Sequence, residues 1–423
     1  MLDIKFIREN PDLIKEAARK KRIEFNVDAL LEVDAKRVAL LQEIEAMRTE
    51  QNRVSAEISK TGSAGALSPI RDEMRKLKER MQEKEEEHKG VMKEWKLLML
   101  QVPNVPDFSV PEGLSDAENQ EVRKHGDLPQ FSFTPKSHVE IMTALDMVDF
   151  ERGAKVAGFR GYFLKNDGVL LSFAIWRYAT DYFLGKGFSP MIVPSLVRKE
   201  NLYGTGYLPQ GDEDLYKTQD GDYIAGTAEV ATMGYYTDEV LQAAELPKKI
   251  LSFSPCFRRE AGSHGKDVKG LIRVHEFYKL EQVVICEADH QTSVKYHEEV
   301  NSNTEGFIET LGIPYRTVVN CGGDLGLGQV KKYDIELWVP LENTYREISS
   351  ASYFHDFQTR RLNIRYKDAE GKMRFAHSLN STAIPTPRIL VSIVENYQNE
   401  DGSIRIPPAL VPYMGKDLIA RAN

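Results

Sequence analysis

The sequence predicts an α+β protein in which an N-terminal antiparallel coiled-coil arm precedes a larger domain built on an antiparallel sheet flanked by helices. Two heptad-spaced runs joined by a glycine- and proline-containing turn predict the arm. Hairpin-spaced apolar runs followed by helical stretches, without the strand–helix alternation of a doubly wound sheet, predict the larger domain. The order of elements along the chain supports each part in turn.

Residues 1–27 read as a short helical lead-in anchored by Ile4, Ile7 and Leu13, with the basic run Arg19, Lys20, Lys21 and Arg22 as a solvated face. A seam then follows in steps of three and four: Leu30, Val33, Arg37, Leu40, Ile44, Met47, Gln51, Val54 and Ile58. It breaks from Thr61 to Pro69 and resumes at Ile70, Met74, Leu77, Met81, Lys84, His88, Val91, Trp95, Leu98 and Val102. With ~33 residues per helix at 1.5 Å each, the hairpin, spanning about 28–60 and 69–102, projects roughly 50 Å. Met74 and Trp95 should be core, with Arg53, Lys60, Arg71, Arg75 and Lys78 on the outer faces. Periodicity alone leaves open whether the rod dimerises or binds something else.

Residues 103–135 hold Pro103, Pro106, Pro111, Pro129 and Pro135, with Gly113 and Gly126, so a linker over 105–135 divides the arm (1–104) from the larger domain (136–423). In that domain Gly168–Leu184 reads as a helix and Phe188–Val193 as a strand ended by Pro194. Further strands are expected at Lys249–Phe257, Phe277–Cys286, Arg316–Val319 and Lys332–Val339, and helices at Ala288–Leu311 and Ile389–Asn396.

Composition narrows the function classes. The chain has 423 residues, 41% of them hydrophobic and 28% charged, with a net charge of -8 that leaves the partner open, because phosphate binding needs only a local basic stripe. Acidic residues within MLDIKFIREN and the lack of an apolar run of roughly 18 residues point to a cytoplasmic protein with no membrane span. Cys256, Cys286 and Cys321 form no Cys-x-x-Cys pair, so reduced thiols are expected. No Gly-x-x-x-x-Gly-Lys-Ser/Thr run occurs, and Gly326-Leu-Gly328 lacks a third glycine, so any nucleotide phosphates must be held by arginines and a metal.

The stretch from Cys256 to Glu281 carries the most chemistry. Two extended runs enclose a loop with Gly262, Gly265 and Gly270, which reads as a long β-hairpin bearing Arg258, Arg259, Glu260 and Phe277. Guanidinium forks suit phosphate, carboxylates accept from amino groups, and a Phe face stacks on a base. Solvated cross-strand ion pairs would use the same residue types. The pattern Phe257-Arg258-x-Glu260, with Gly270, Arg273, His275 and Phe277 beyond the loop, resembles motif 2 of class II aminoacyl-tRNA synthetases. With Ala261-Gly262-Ser263 and Glu281 it is similar to the seryl-tRNA synthetase family.

Other runs extend the resemblance over essentially the whole chain, including the ending from Ile406 to Gly415. The helix, strand and Pro194 resemble motif 1, the dimer element. Thr227-Ala228-Glu229 resembles the amino-acid loop, Glu347-Ile348-Ser349-Ser350 the metal and phosphate site, and Asn380 to Arg388 motif 3. The resemblance implies a class II catalytic domain, ATP and Mg²⁺, and two-step attachment of L-serine to tRNA(Ser) through seryl-adenylate, with tRNA(Sec) as a second acceptor and a homodimer as the working form. It assigns Arg258, Arg259, Glu260, Arg273, Val274, Phe277, Glu347, Ile348, Ser349, Ser350 and Arg388 to ATP, with Arg258, Glu347 and Arg388 catalytic. It also implies that Phe277 and Arg388 sandwich the adenine. Glu347 and Ser350 would hold the metal, and Thr227, Ala228, Glu229, Arg258, Glu281, Asn380 and Thr382 the serine. The arm would reach the long variable arm of the tRNA. A ligase that forms seryl-adenylate but serves a non-tRNA acceptor is the alternative, and it predicts a lost or altered arm. Departures from the family pattern are Arg259 where a small residue is common, Ala351 to His355, Thr382 for serine, and Pro385 and Pro387.

Overall fold

In the computed structural model, residues 1–60, 67–262, 265 and 267–421 are described, without the side chains of 59–60 and 67–71. The arm turn from Thr61, the outer-face Lys60 and Arg71, the seam residue Ile70, and Ser263 of the motif 2 loop fall wholly or in their side chains outside the described residues. The chain divides into two compact units, Leu2–Arg19 with Ile23–Pro103, and Asn104–Asn423 with Met1 and Lys20–Arg22.

The first unit contains α1 (Ile4–Glu9), α2 (Pro11–Lys20) and the long pair α3 (Val27–Lys60) and α4 (Leu67–Gln101). The heptad seam faces inward as its spacing predicts, with Leu30, Leu40, Ile44, Val54, Val91 and Val102 buried. Met74 and Trp95, expected in the core, are half-buried, because two helices alone cannot enclose a large side chain. Trp95 donates from Nε1 to the buried carboxylate of Asp34, Oδ1, at 2.9 Å. The outer-face arginines are engaged by their own helix: Arg53 with Glu50 and Glu57, and Arg75 with Asp72.

The second unit is organised on an eight-stranded sheet. Its strands are β1 (Gln120–His125), β2 (Ser189–Ile192), β3 (Lys248–Phe257), β4 (Glu276–Cys286), β5 (Tyr315–Val319), β6 (Lys331–Val339), β7 (Thr344–His355) and β8 (His377–Thr386). The order is β1-β5-β6-β7-β8-β4-β3-β2, antiparallel throughout except for the parallel β2–β3 pair. The strand β1 lies inside the proline-rich stretch expected to be only a linker; its six residues QEVRKH contain no proline, so nothing there removes a donor from the ladder. The strands β7 and β8 are absent from the periodicity reading because serine, threonine and asparagine occupy positions where alternation looks for apolar residues.

Helices α5 (Asn166–Leu184), α6 (Ala228–Tyr235), α7 (His290–Thr310) and α8 (Arg388–Asn396) complete the frame. Ile175, Phe183, Val300, Phe307, Ile308 and Ile393 from α5, α7 and α8 share one core with Val284, Ala351 and Ile384 of the sheet. Alternation then decides what the other face carries. Leu280, Val284 and Cys286 of β4 point into that core, and Gln282 donates to Val300 O of α7, which leaves Phe277, Lys279 and Glu281 on the opposite face.

Candidate active site

Two bulges aim the polar side chains of that face. In β7 the pairing with β6 skips Ile348, so Ser350 and Ser352 face the cleft at even positions while Glu347 faces it at an odd one. In β8 the pairing with β4 skips Ala383, so Asn380 and Thr382 open into the cleft and Pro385 and Pro387 continue its lining. The long hairpin expected around Cys256–Glu281 is the β3–β4 pair, with Phe257 opposite Glu276. Its returning loop is fixed at Gly270, where a Cβ would lie 2.3 Å from His138 Nε2, and that nitrogen accepts from Leu271 N at 3.2 Å.

Two adjoining cavities result. The first is lined by Arg258, Glu260, Val274, Phe277, Glu347, Ile348 and Arg388, among others. Arg388 is anchored by Nε to Ile272 O at 2.8 Å and by a terminal nitrogen to Glu347 O at 2.9 Å, which ties the start of α8 to β7. The guanidinium of Arg258 lies 5.3 Å from the Phe277 ring centroid, a cation–π contact on the wall of this cavity. Arg273 is held by Glu260 at 2.6 Å and Asp267 at 3.2 Å.

The second cavity, about 470 Å³, is lined by Thr227, Glu229, Arg258, Lys279, Glu281, Glu347, Ser350, Asn380 and Thr382, together with the 326–329 loop. Its floor is a buried charge network. Lys279 Nζ lies 2.5 Å from Glu281 Oε2 and donates to Thr227 Oγ1 at 2.8 Å, and Thr382 Oγ1 donates to the same Glu281 oxygen at 3.3 Å. Thr227 is also the N-cap of α6, accepting from Glu229 N, which sets the direction of the following carboxylate. Glu229 accepts from Gln358 Nε2 at 2.6 Å and from the Tyr207 hydroxyl at 3.1 Å.

Burial pushes the Glu229 carboxyl up to about 7, with Glu281 adding to the rise and Gln358, Lys279 and Tyr207 opposing it. Folded Glu229 keeps a proton that the unfolded chain releases near 4.5, so its contribution to stability falls as pH rises from 4.5 to 7. A substrate ammonium needs the ionised form. The KM for an amino-acid substrate at this carboxylate is therefore expected to be roughly tenfold higher at pH 6 than at pH 8, and Glu229→Gln to abolish that dependence, in initial-rate measurements across pH.

Four expected site residues stand apart from the linings, the first being Arg273, turned to Glu260 and Asp267. Arg259 donates to Glu213 O at 3.1 Å on the other side of the chain from Arg258, as adjacent residues of an extended run do. Ser349 Oγ donates to Thr382 O at 2.5 Å, its odd position placing it away from Ser350. Ala228 is buried as the first residue of α6. Conversely, Lys279, Tyr207 and Gln358 belong to the network without having been singled out from the sequence. Lys279 was legible, since it lies between Phe277 and Glu281 at a spacing of two on one strand.

The exposed Glu347 carboxylate and the Ser350 hydroxyl offer hard oxygen donors to one cavity, and no group of three or more His, Cys, Asp or Glu able to hold a metal occurs among the described residues. Two protein oxygens beside a polyphosphate fit Mg²⁺, which keeps water and phosphate oxygens as its remaining ligands. They do not form a closed protein cage.

An antiparallel sheet whose open face carries an arginine hairpin, an N-capped TAE turn and a strand-to-helix arginine defines the catalytic core of a class II aminoacyl-tRNA synthetase. Residues 216–397 match the model of the tRNA synthetase class II core domain (G, H, P, S and T), and residues 1–106 that of the seryl-tRNA synthetase N-terminal domain. The serine–tRNA ligase of Deinococcus radiodurans is 45% identical, with 98% of each chain covered, and that of Rubrobacter xylanophilus 39% identical with 100% of each covered. The crystal structure of seryl-tRNA synthetase from Pyrococcus horikoshii complexed with ATP superposes with a TM-score of 0.93 at 38% identity over 100% of both chains. The chain belongs to the seryl-tRNA synthetase family.

Proposed function

We propose that this enzyme attaches L-serine to tRNA(Ser) in two steps, using ATP as the first co-substrate. The observation that carries the reading is the paired cavity, with an arginine- and aromatic-lined compartment sharing Arg258, Lys279, Glu347 and Thr382 with a buried polar one. In the first step a carboxylate oxygen of serine attacks the α-phosphorus in line, a new P–O bond forms, and the bond to the bridging oxygen breaks to release pyrophosphate. Arg258 meets the charge on the α-phosphate oxygens, Arg388 the far phosphates, Glu260 the adenine amino group, and Phe277 the base. Val274 and Ile348 complete the nucleotide compartment, with Arg273 paired to its Glu260. Mg²⁺, when bound by Glu347 and Ser350, would draw charge from the phosphate oxygens.

Serine is held through its ammonium by Thr227 and Glu229, and through its hydroxyl by Glu281 and Thr382, with Asn380 beside them. In the second step a terminal ribose hydroxyl of the tRNA attacks the adenylate carbonyl and AMP leaves. Labelled serine supplied with separated tRNA isoacceptors tests the reading. Charging confined to tRNA(Ser), and to tRNA(Sec) where that species is offered, supports it; adenylate formation with no tRNA charged would favour a non-tRNA acceptor. The full-length arm, matched over 1–106, favours a tRNA with a long variable arm. The cytoplasm, where tRNA is charged for translation, is the compartment this activity implies.

A homodimer is the proposed working form. Among the described residues the edge strand β2 pairs on one side only, its own Ile192 is 84% exposed, and Phe173 of α5 is 64% exposed. Large apolar side chains flanking an open edge suit a second copy of the same surface. Ile192→Asp is expected to shift the sedimenting species from dimer to monomer at micromolar concentration, and an unchanged dimer would place the interface elsewhere.

A further inference from the structure

The 326–329 loop forms one wall of the 470 Å³ cavity, and all four of its carbonyls are taken from behind. Lys21 Nζ donates to the carbonyls of Gly326 at 3.1 Å, Leu327 at 3.0 Å and Gln329 at 2.5 Å. Asn104 supplies the rest, from its backbone nitrogen to Leu327 O at 2.9 Å and from Nδ2 to Gly328 O at 2.9 Å. Lys21 is 2% exposed, and no carboxylate pairs with it among the described residues. A lysine in this position is separated by some 300 residues of sequence from the carbonyls it holds. The chain just before it is equally close, since a Cβ on Gly322 would meet Lys20 O at 2.3 Å.

Within the loop the two ends are tied to each other, Gly326 N donating to Gln329 Oε1 at 2.6 Å and Gln329 N to Gly326 O at 3.3 Å, while the turn between them is held from outside. Two of its four residues are glycine, which lose the most backbone freedom on ordering, and its one long side chain, Gln329, is turned to Gly326 N and Ser352 Oγ. A buried ammonium with three carbonyl acceptors supplies that outside constraint through charge-assisted hydrogen bonds, and its desolvation is tolerable only with all three in place. The wall bounds the serine-side cavity and is absent from the lining of the nucleotide compartment. At about 470 Å³ that cavity is of drug-ligand size and far exceeds a single serine, leaving room for the acceptor nucleotide beside the seryl group.

We propose that Lys21, from the segment before the long arm helices, is a positioning residue for seryl transfer: it fixes the Gly326–Gln329 wall against which the seryl group and the terminal nucleotide of the acceptor are aligned. The inference rests on the serine-ligase reading above. Misplacing an acceptor by about 1 Å can cost roughly 10²-fold in rate, so a loosened wall acts on transfer while leaving the nucleotide compartment intact.

The test measures Lys21→Met and Lys21→Arg in the full-length enzyme. Single-turnover transfer from preformed seryl-adenylate to tRNA is expected to fall at least about tenfold in Lys21→Met, with KM for ATP within about twofold of wild type, and Lys21→Arg, which keeps the charge and donors but brings a bulkier planar head into the buried site, to recover part of the loss. Transfer within twofold of wild type, or equal losses in transfer and ATP affinity that track a lowered Tm, would overturn the proposal. If Lys21→Met does not fold, Lys21→Gln is examined by amide hydrogen exchange. Faster exchange over 322–330, with β4 unchanged, supports the wall; unchanged protection over 322–330 overturns it. A failure of the serine-ligase reading is recognised separately, because wild type would then form no seryl-adenylate while the exchange comparison still reports on the wall.

Discussion

Arg258→Ala is expected to lower kcat for serine-dependent ATP–pyrophosphate exchange by about 10³-fold, the range lost when a preorganised cation facing a transferring phosphoryl group is removed. The side chain borders both cavities, donates from Nε to Gly226 O at 3.3 Å, and lies over Phe277, so in the proposed reaction it would meet the α-phosphate between adenine and serine. Arg258→Lys keeps the charge but loses the planar fork, and is expected to recover only part of the rate. Quenching or chemical-shift changes at Phe277 on adding ATP should accompany binding in wild type and be altered in Arg258→Ala.

The second large effect concerns amino-acid choice. Glu281→Ala is expected to lose serine-dependent exchange by about 10³-fold or more while ATP still binds, because a site built around a hydroxyl loses its discrimination with the acceptor. Equilibrium dialysis with ATP and exchange assays with serine separate the two outcomes, and unchanged exchange would remove Glu281 from the pocket. The substitution also strands Lys279, whose ammonium is buried against that carboxylate, and removing one partner of such a pair costs about 3–5 kcal/mol. Glu281→Ala combined with Lys279→Met should therefore regain stability without regaining serine activation.

Much of this architecture is visible in the residues themselves. Among the described residues the seam positions from Leu30 to Val102 follow from spacing, and the strands β3 and β4 from two extended runs on either side of a glycine-bearing loop. The strands β7 and β8 escaped that logic for a physical reason: one face of each lines a polar cleft, so Ser350, Ser352, Asn380 and Thr382 replace the apolar residues that signal a strand. Their bulges are likewise invisible in composition, yet they decide that Glu347 and Ser350, three residues apart, open to one side while Ser349 turns away. Lys279 and Glu281 are a different case. Spacing of two places them on one face, but only the fold reveals that Tyr207 and Gln358, each distant in sequence, close the network around Glu229. Lys21 shows the same limit, since a basic run near the N-terminus reads as a solvated face until its three carbonyl partners are seen.

The most direct test of the account is a crystal structure of the enzyme with a non-hydrolysable ATP analogue and serine. The account predicts a nucleotide bent over the open face of the sheet, its base on Phe277, its phosphates between Arg258 and Arg388, and the serine hydroxyl at Glu281. Nucleotide density away from Arg258 and Arg388, or serine bound without contact to Glu281, would contradict it.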